Sequence, residues 1–268
     1  MLRWLWCLSA CLIVGCATTP DDSIPEPTPD PVPVQTSTPT AELERLGESD
    51  PISFLERCRD KSAREIKAMR GTLLMRERVK GKLGPQQRVH FSFRDQPFCI
   101  RMDWKEGVNL ARKTCYVAGE NDGEMLVQPA GWRSLAGIVR TKPDGEDALS
   151  SSRVPITEFG MQKSIESTLR VWKEARDRDD LRVAFVGPKT IPQFGDRPVW
   201  ELKRTASKTT DAEGILQATY YVDVRTCLQV GTHLVGKGDE MIGAYYFRDL
   251  EINPTFDKDT FTREGLKK

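Results

Sequence analysis

Histidine is nearly absent, with two in 268 residues, and no apolar run reaches the ~20 residues that a membrane-crossing helix needs. The first scarcity leaves few acid–base groups and few metal ligands; the second excludes a retained helical span. Excess charge is missing too. Lys and Arg number 40 against 39 Asp and Glu, a net charge of +1, so nothing points to a nucleic-acid partner. There is no C-x-x-C pair and no His cluster, so neither a metal nor another cofactor is expected. G-x-S-x-G, H-E-x-x-H and P-loop patterns are also lacking. Ser150, Ser151 and Ser152 sit in a polar stretch without an identifiable base. His90 falls on the polar side of its strand, and alternation puts His233 on one face with Gln229. Glu120, Asp122 and Glu124 lack the full oxygen set of a calcium loop, and an Asn-Asp-Gly turn explains them better. With no nucleophile paired to a base, the expectation is a protein that is not an enzyme.

What is present begins at the N-terminus. Arg3 precedes eleven largely apolar residues, Trp4 to Val14, in the layout of a secretory signal. Leu12-Ile13-Val14-Gly15-Cys16 resembles the bacterial lipobox, with Ile13 where leucine is commonest. That resemblance implies a diacylglyceryl group on the Cys16 thiol, cleavage after Gly15 and acylation of the new amino group. Several chains are needed because each buried CH₂ contributes ~0.8 kcal/mol and one chain alone holds only marginally. An ordinary secreted protein with a chance cysteine is the alternative. Ala17 follows Cys16 in place of an acidic residue, which by resemblance to enterobacterial sorting permits transfer to the outer membrane. The expected location is therefore the cell envelope, at the outer membrane facing the periplasm, with the membrane contacted through the lipidated end.

Residues 1–15 are thus read as signal, and 16–50 as lipidated cysteine plus linker. Pro20, Pro25, Pro27, Pro29, Pro31, Pro33 and Pro39 alternate there with Asp, Glu, Ser and Thr. Proline fixes φ and removes donors, so this stretch favours an extended, disordered tether that cannot bury a core. A helical turn over 41–47 is the one exception expected. The folded domain is placed at 51–268.

Asp50-Pro51 has the form of an N-cap and first helical residue. Ile52, Leu55, Cys58, Ser62, Ile66 and Met69 recur at helical spacing, predicting an amphipathic helix over 51–69. From Gly71 the period becomes two: strands are expected from Leu73 to Val79, around Val89, Phe91 and Phe93, from Phe98 to Trp104, from Leu110 to Ala118 and from Glu124 to Gln128. Residues 130–153 read as a long loop. Thr157 is expected to cap a second helix, striped by Met161, Ile165, Leu169 and Trp172 and ending near 176. Five more alternating segments lie between 181 and 252. About ten strands with one apolar face and two amphipathic helices give an α+β, mostly β fold. Its form is a curved antiparallel sheet or open half-barrel, with the helices on the concave side.

Cys7 and Cys11 leave with the signal and Cys16 is lipidated, so Cys58, Cys99, Cys115 and Cys227 remain, with three possible pairings. A hairpin centred near Gly107 would put Cys99 and Cys115 opposite each other, their indices summing to 214, and predicts a cross-strand disulfide. Two separate thiols would follow from a different register. Cys58 and Cys227 are unassigned. Phe98, Ile100, Met102 and Trp104 form the sharpest apolar alternation and are the candidate ligand-facing surface, with packing under the second helix as the alternative.

Two resemblances complete the reading. Glu77-Arg78-Val79-Lys80-Gly81-Lys82-Leu83-Gly84-Pro85 with Gln96-Pro97-Phe98, Tyr116 to Gly123, and Arg153 to Gly160 resemble the DUF1571 family of exported bacterial proteins. Tyr221 to Thr226 and Tyr246 to Pro254 are more distantly similar to the LolA-like superfamily of lipoprotein carriers and periplasmic lipid binders. The second resemblance implies a half-barrel closed by helices around an apolar cavity. It implies binding of an acyl chain, a lipid or a lipidated partner, in lipid or lipoprotein handling or sensing. A structural or interaction lipoprotein with a self-filled core is the alternative. Neither resemblance carries a catalytic residue.

Overall fold

The computed structural model describes residues 39–108, 110–195, 197–206 and 214–268. The signal, Cys16 and most of the proline-rich stretch lie outside the described residues. Helical structure already occupies residues 39–49, inside the stretch read as linker through residue 50. Helix α1 (Pro39–Ser49) replaces the single turn expected. Leu43 and Leu46 pack on the core, and Gly47 lies so close under Phe185 that a Cβ there would be 2.5 Å from the ring.

Helix α2 (Pro51–Glu65) starts where its cap predicts: Asp50 Oδ1 accepts from the Ile52 and Ser53 amides, both at 3.1 Å. It ends four residues earlier than the hydrophobic spacing suggests, because a distant residue takes over the backbone. Asn253 Oδ1 accepts from the Lys67 and Ala68 amides at 2.8 and 3.1 Å, while its Nδ2 donates to Glu65 O at 2.7 Å. The chain turns there into β1 (Ala68–Val79).

Then follow β2 (Lys82–Leu83), β3 (Gln87–Arg94), β4 (Cys99–Glu106), β5 (Ala111–Val117), β6 (Met125–Pro129) and β7 (Val139–Thr141), the last inside the expected long loop. After a short α3 (Glu146–Leu149), helix α4 (Met161–Asp177) begins past Thr157, because Gly160 at φ 132° holds the chain out of helical geometry. The closing meander is β8 (Val183–Lys189), β9 (Val199–Thr205), β10 (Gln217–Asp223), β11 (Gln229–Val235) and β12 (Met241–Ile252), before a terminal α5 (Arg263–Lys267).

All twelve strands join one antiparallel sheet, β7-β6-β5-β4-β3-β1-β12-β11-β10-β9-β8, with β2 beside β1. The two longest strands, β1 and β12, pair at its centre and link the two meanders. Register shifts at several pairs, including Arg70/Thr72 and Tyr221/Val222, mark bulges that bend the strands. The result is the expected open, curved, mostly β architecture.

One face carries α2 and α4, packed over Trp200, Leu202, Ala218, Tyr220 and Val222. The other face is covered at its β4–β6 end by the C-terminal segment, where Phe261 and Leu266 bury Cys99, Cys115, Val117 and Leu126. No described helix is long and apolar enough to cross a membrane.

The register corrects the predicted disulfide. Cys99 faces Val117 and Cys115 faces Arg101, so the paired indices sum to 216 and the two cysteines are diagonal neighbours. Diagonal Cα atoms lie about 7–8 Å apart, beyond comfortable bridging. Both are free, buried thiols. Since the slip is two residues, every side chain keeps its predicted face.

Candidate functional site

The apolar alternation on β4 lands on the helix-bearing face. Trp104 lies opposite Val89, Met102 opposite Phe91 and Ile100 opposite Phe93, so three residue pairs across β3 and β4 present one continuous hydrophobic surface. Leu73 and Met69 of β1 extend it on one side, and Tyr116, opposite Ile100, on the other. Ile100 and Met102 are buried, whereas Phe98 and Trp104 are partly exposed. Trp104 is held by its indole N–H, which donates to Gln87 Oε1 at 2.6 Å. Lys163 Nζ sits 5.1 Å from the centre of the Phe98 ring, a cation–π distance.

What covers this surface is mainly an irregular strap ahead of α4. Phe159 inserts between Phe91, Phe93 and Phe247, with ring centroids at 5.3, 5.9 and 5.8 Å. The strap is tied down at both ends. Arg153 Nη1 donates to Ile242 O at 3.2 Å, and Lys163 Nζ donates to Thr157 O at 2.5 Å. Below Arg153 lies Glu77, 3 % exposed, which accepts a 2.6 Å hydrogen bond from Tyr245 Oη.

Burial raises the Glu77 carboxyl above its ordinary pKa, although the Tyr245 hydrogen bond and the Arg153 charge oppose the shift. The folded protein therefore holds this proton more tightly than the unfolded chain does. Glu77's stabilising contribution is complete below the unfolded pKa and is lost as pH rises through the folded value. Glu77→Gln removes that titration. The stability of wild type relative to the variant is expected to fall as pH rises above the ordinary carboxylate range, read from thermal melts. A difference independent of pH would contradict the assignment.

A pocket of about 40 Å³ borders the surface at Met69 and Phe93. A cleft of about 210 Å³ opens on the opposite face, lined by His90, Ser92, Arg101, Asp103 and Thr260. His90 is on the polar side as expected, its pKa lowered by burial and by Lys105 and Arg88. Arg101 is already held by Asp103, through Nε at 2.9 Å and Nη2 at 3.0 Å. His233 departs from expectation: the β11 bulge puts Gln229 beside Val222 but His233 beside Thr219, on the opposite face. Gln229 turns toward α4 and bonds Thr168 Oγ1 at 3.0 Å and Ser164 Oγ at 2.8 Å. Arg140 pairs with Asp122 and Glu124 at 2.6 and 3.0 Å, and no metal-binding cluster occurs among the described residues.

Glu77 and Phe159 were not singled out from sequence. Yet each lies in a segment that carried the family resemblance, the strap within Arg153 to Gly160 and the carboxylate at the head of Glu77 to Pro85. The model of a family described as a protein of unknown function, DUF1571, matches residues 66–265. The chain belongs to the DUF1571 family. The match takes in β1, the whole sheet and the strap. No curated protein sequence matches this DUF1571 chain.

Among solved structures it is similar to MucB, at 13% identity and a TM-score of 0.47, over 81% of this chain and 63% of that one. The DUF1571 chain thus spans less than two thirds of MucB. The MucA/MucB complex from Pseudomonas aeruginosa gives 13% identity, 80% and 60% coverage and a TM-score of 0.46. The lipoprotein LppX from Mycobacterium tuberculosis gives 14% identity, 77% and 98% coverage and a TM-score of 0.43.

Proposed function

We propose that this DUF1571 chain is a non-enzymatic lipoprotein of the cell envelope, anchored through Cys16 at the outer membrane and facing the periplasm. Its half-barrel takes a hydrophobic guest, an acyl chain, a lipid or a lipidated partner, on the surface that includes Phe98, Ile100, Met102 and Trp104. The observation that carries this reading is the cover itself. The centre of the apolar surface is closed by Phe159 on an irregular strap, with Ile156 beside it and only the first residue of α4, Met161, joining from a helix. A guest that displaces Phe159 keeps Phe91, Phe93 and Phe247 out of water. Exchange then conserves most of the ~25 cal/mol per Å² that their burial contributes. The signal and proline-rich stretch support the anchor. A body fixed by its own acyl chains holds or senses a ligand near one membrane and does not ferry it between two.

The second reading, an interaction lipoprotein with a self-filled core, is favoured by size. The pockets of about 40 and 210 Å³ fall below the ~300–1,000 Å³ of ligand sites. Native mass spectrometry of the chain extracted from its own membranes separates the two. A retained lipid adduct is expected, and Phe159→Ala is expected to raise uptake of a fluorescent fatty acid several-fold. An adduct-free wild type together with a variant that takes up no probe would establish the self-filled core.

A further inference from the structure

The two cysteines without a sequence-based partner meet in the core. Cys58 lies on the buried stripe of α2, and Cys227 lies in the turn between β10 and β11 at φ 59°. Both are fully buried in the same cluster beneath α2 and α4. Three residues beyond Cys58, Lys61 Nζ donates to Arg225 O at 2.9 Å, which fixes the end of the helix onto that turn. The turn is itself rigid: the Cys227 amide donates to Asp223 O at 2.9 Å, and the Thr226 amide donates to Asp223 Oδ1 at 2.7 Å. We propose that the exported chain carries an intramolecular Cys58–Cys227 disulfide stapling α2 to the β10–β11 turn.

Both thiols are free in this structure and belong to one buried cluster, with the Lys61 tether seating α2 on the turn, so a bridge asks that the two sulfurs approach to about 2.05 Å. In the folded protein the neighbouring Cys227 and burial raise the Cys58 pKa, whereas the neighbouring Cys58 lowers that of Cys227. The other pair has different partners. Cys99 Sγ lies 3.2 Å from Pro97 O and 3.1 Å from Arg94 Nη2. Burial pushes the Cys115 thiol up to about 12, which leaves it inert as a nucleophile.

The oxidant is a disulfide of another molecule. The thiolate of one cysteine attacks one of the oxidant's sulfurs and expels a thiolate; the thiolate of the other cysteine then attacks the protein sulfur of the mixed disulfide and releases the second. The two protein thiols lose two protons and two electrons, and the oxidant becomes two thiols. Because both sulfurs are sealed in the core, the exchange takes place before α2 docks.

The test is thiol mapping of the full-length exported chain, blocked with an alkylating reagent in denaturant and digested without reductant. The expected result is one cross-linked peptide pair containing Cys58 and Cys227, with Cys99 and Cys115 alkylated. In Cys58→Ser, Cys227 is expected to become alkylatable without acquiring another intramolecular link. Four alkylated thiols in the wild type, or Cys58 or Cys227 joined to Cys99 or Cys115, would overturn the proposal. The same mapping after refolding with oxidised glutathione is expected to give the same pair.

Discussion

Trp200→Ala is expected to destabilise the protein by about 3–5 kcal/mol, the range for large aromatic truncations in a packed core. Trp200 is fully buried on β9, and its ring meets Phe54 of α2 edge-on at 5.3 Å. Its indole N–H reaches across to Glu44 Oε1 of α1 at 3.0 Å. One side chain therefore joins two helices to the sheet. Removing it opens a cavity bounded by α2 and β9, where Phe54 and Leu202 of the same cluster are themselves fully buried and cannot relax far. Domains are stable by only about 5–15 kcal/mol, so the variant retains a fraction of its margin. Urea unfolding is the measurement: the midpoint should fall with an unchanged slope. A loss below about 1 kcal/mol would mean that α1 and α2 do not seat on β9 as described.

Much of this core is legible in the sequence. The start of α2 followed from Asp50 and Pro51, because a capping carboxylate and a first-turn proline act within four residues of chain. Its end did not, since Asn253 delivers the terminating hydrogen bonds from the far end of the sequence. The same contrast separates the two faces of β4. Alternation put Phe98, Ile100, Met102 and Trp104 on one surface, and the two-residue difference in register left that parity intact. A hairpin symmetric about Gly107 could not foresee the shift in pairing, so Cys99 and Cys115 were paired one step too closely.

What covers each face was harder to read. Phe261 and Leu266 protect the outer surface from a short terminal segment without strand or long-helix periodicity. Phe159 covers the inner surface from a strap that belongs to no long regular element. Helix α1 is longer than the expected turn because Leu43 and Leu46, spaced for a helix face, pack on the core, although Pro39 ends a proline series. A strand pattern states which side chains share a face; only tertiary structure states what comes to lie on it.

Asp223→Ala is the second large effect, also expected at about 3–5 kcal/mol, because it strips a fully buried carboxylate from its partners. Oδ1 accepts from the Thr226 amide at 2.7 Å and from Thr226 Oγ1 at 2.6 Å, while Oδ2 lies 3.3 Å from Arg197 Nη1, an ion-pair contact without hydrogen-bond alignment. Alanine leaves the buried Thr226 groups and the guanidinium unanswered together. Asp223→Asn keeps an acceptor for Thr226 and loses only the charge, so it should cost about 1–3 kcal/mol. Equal losses for the two variants, measured by urea unfolding, would show that the Thr226 acceptor is immaterial.

The segment Tyr221 to Thr226 ties β10 to its surroundings. Tyr221 meets Phe194 edge-on at 5.4 Å, Val222 is buried opposite Trp200, and Asp223 clasps the turn whose Arg225 carbonyl receives Lys61. Each residue of the segment secures β10 to a neighbouring element. Loss of Asp223 should therefore loosen the seat of α2 as well as the hairpin, and hydrogen exchange in α2 should quicken in the alanine variant but much less in the asparagine variant.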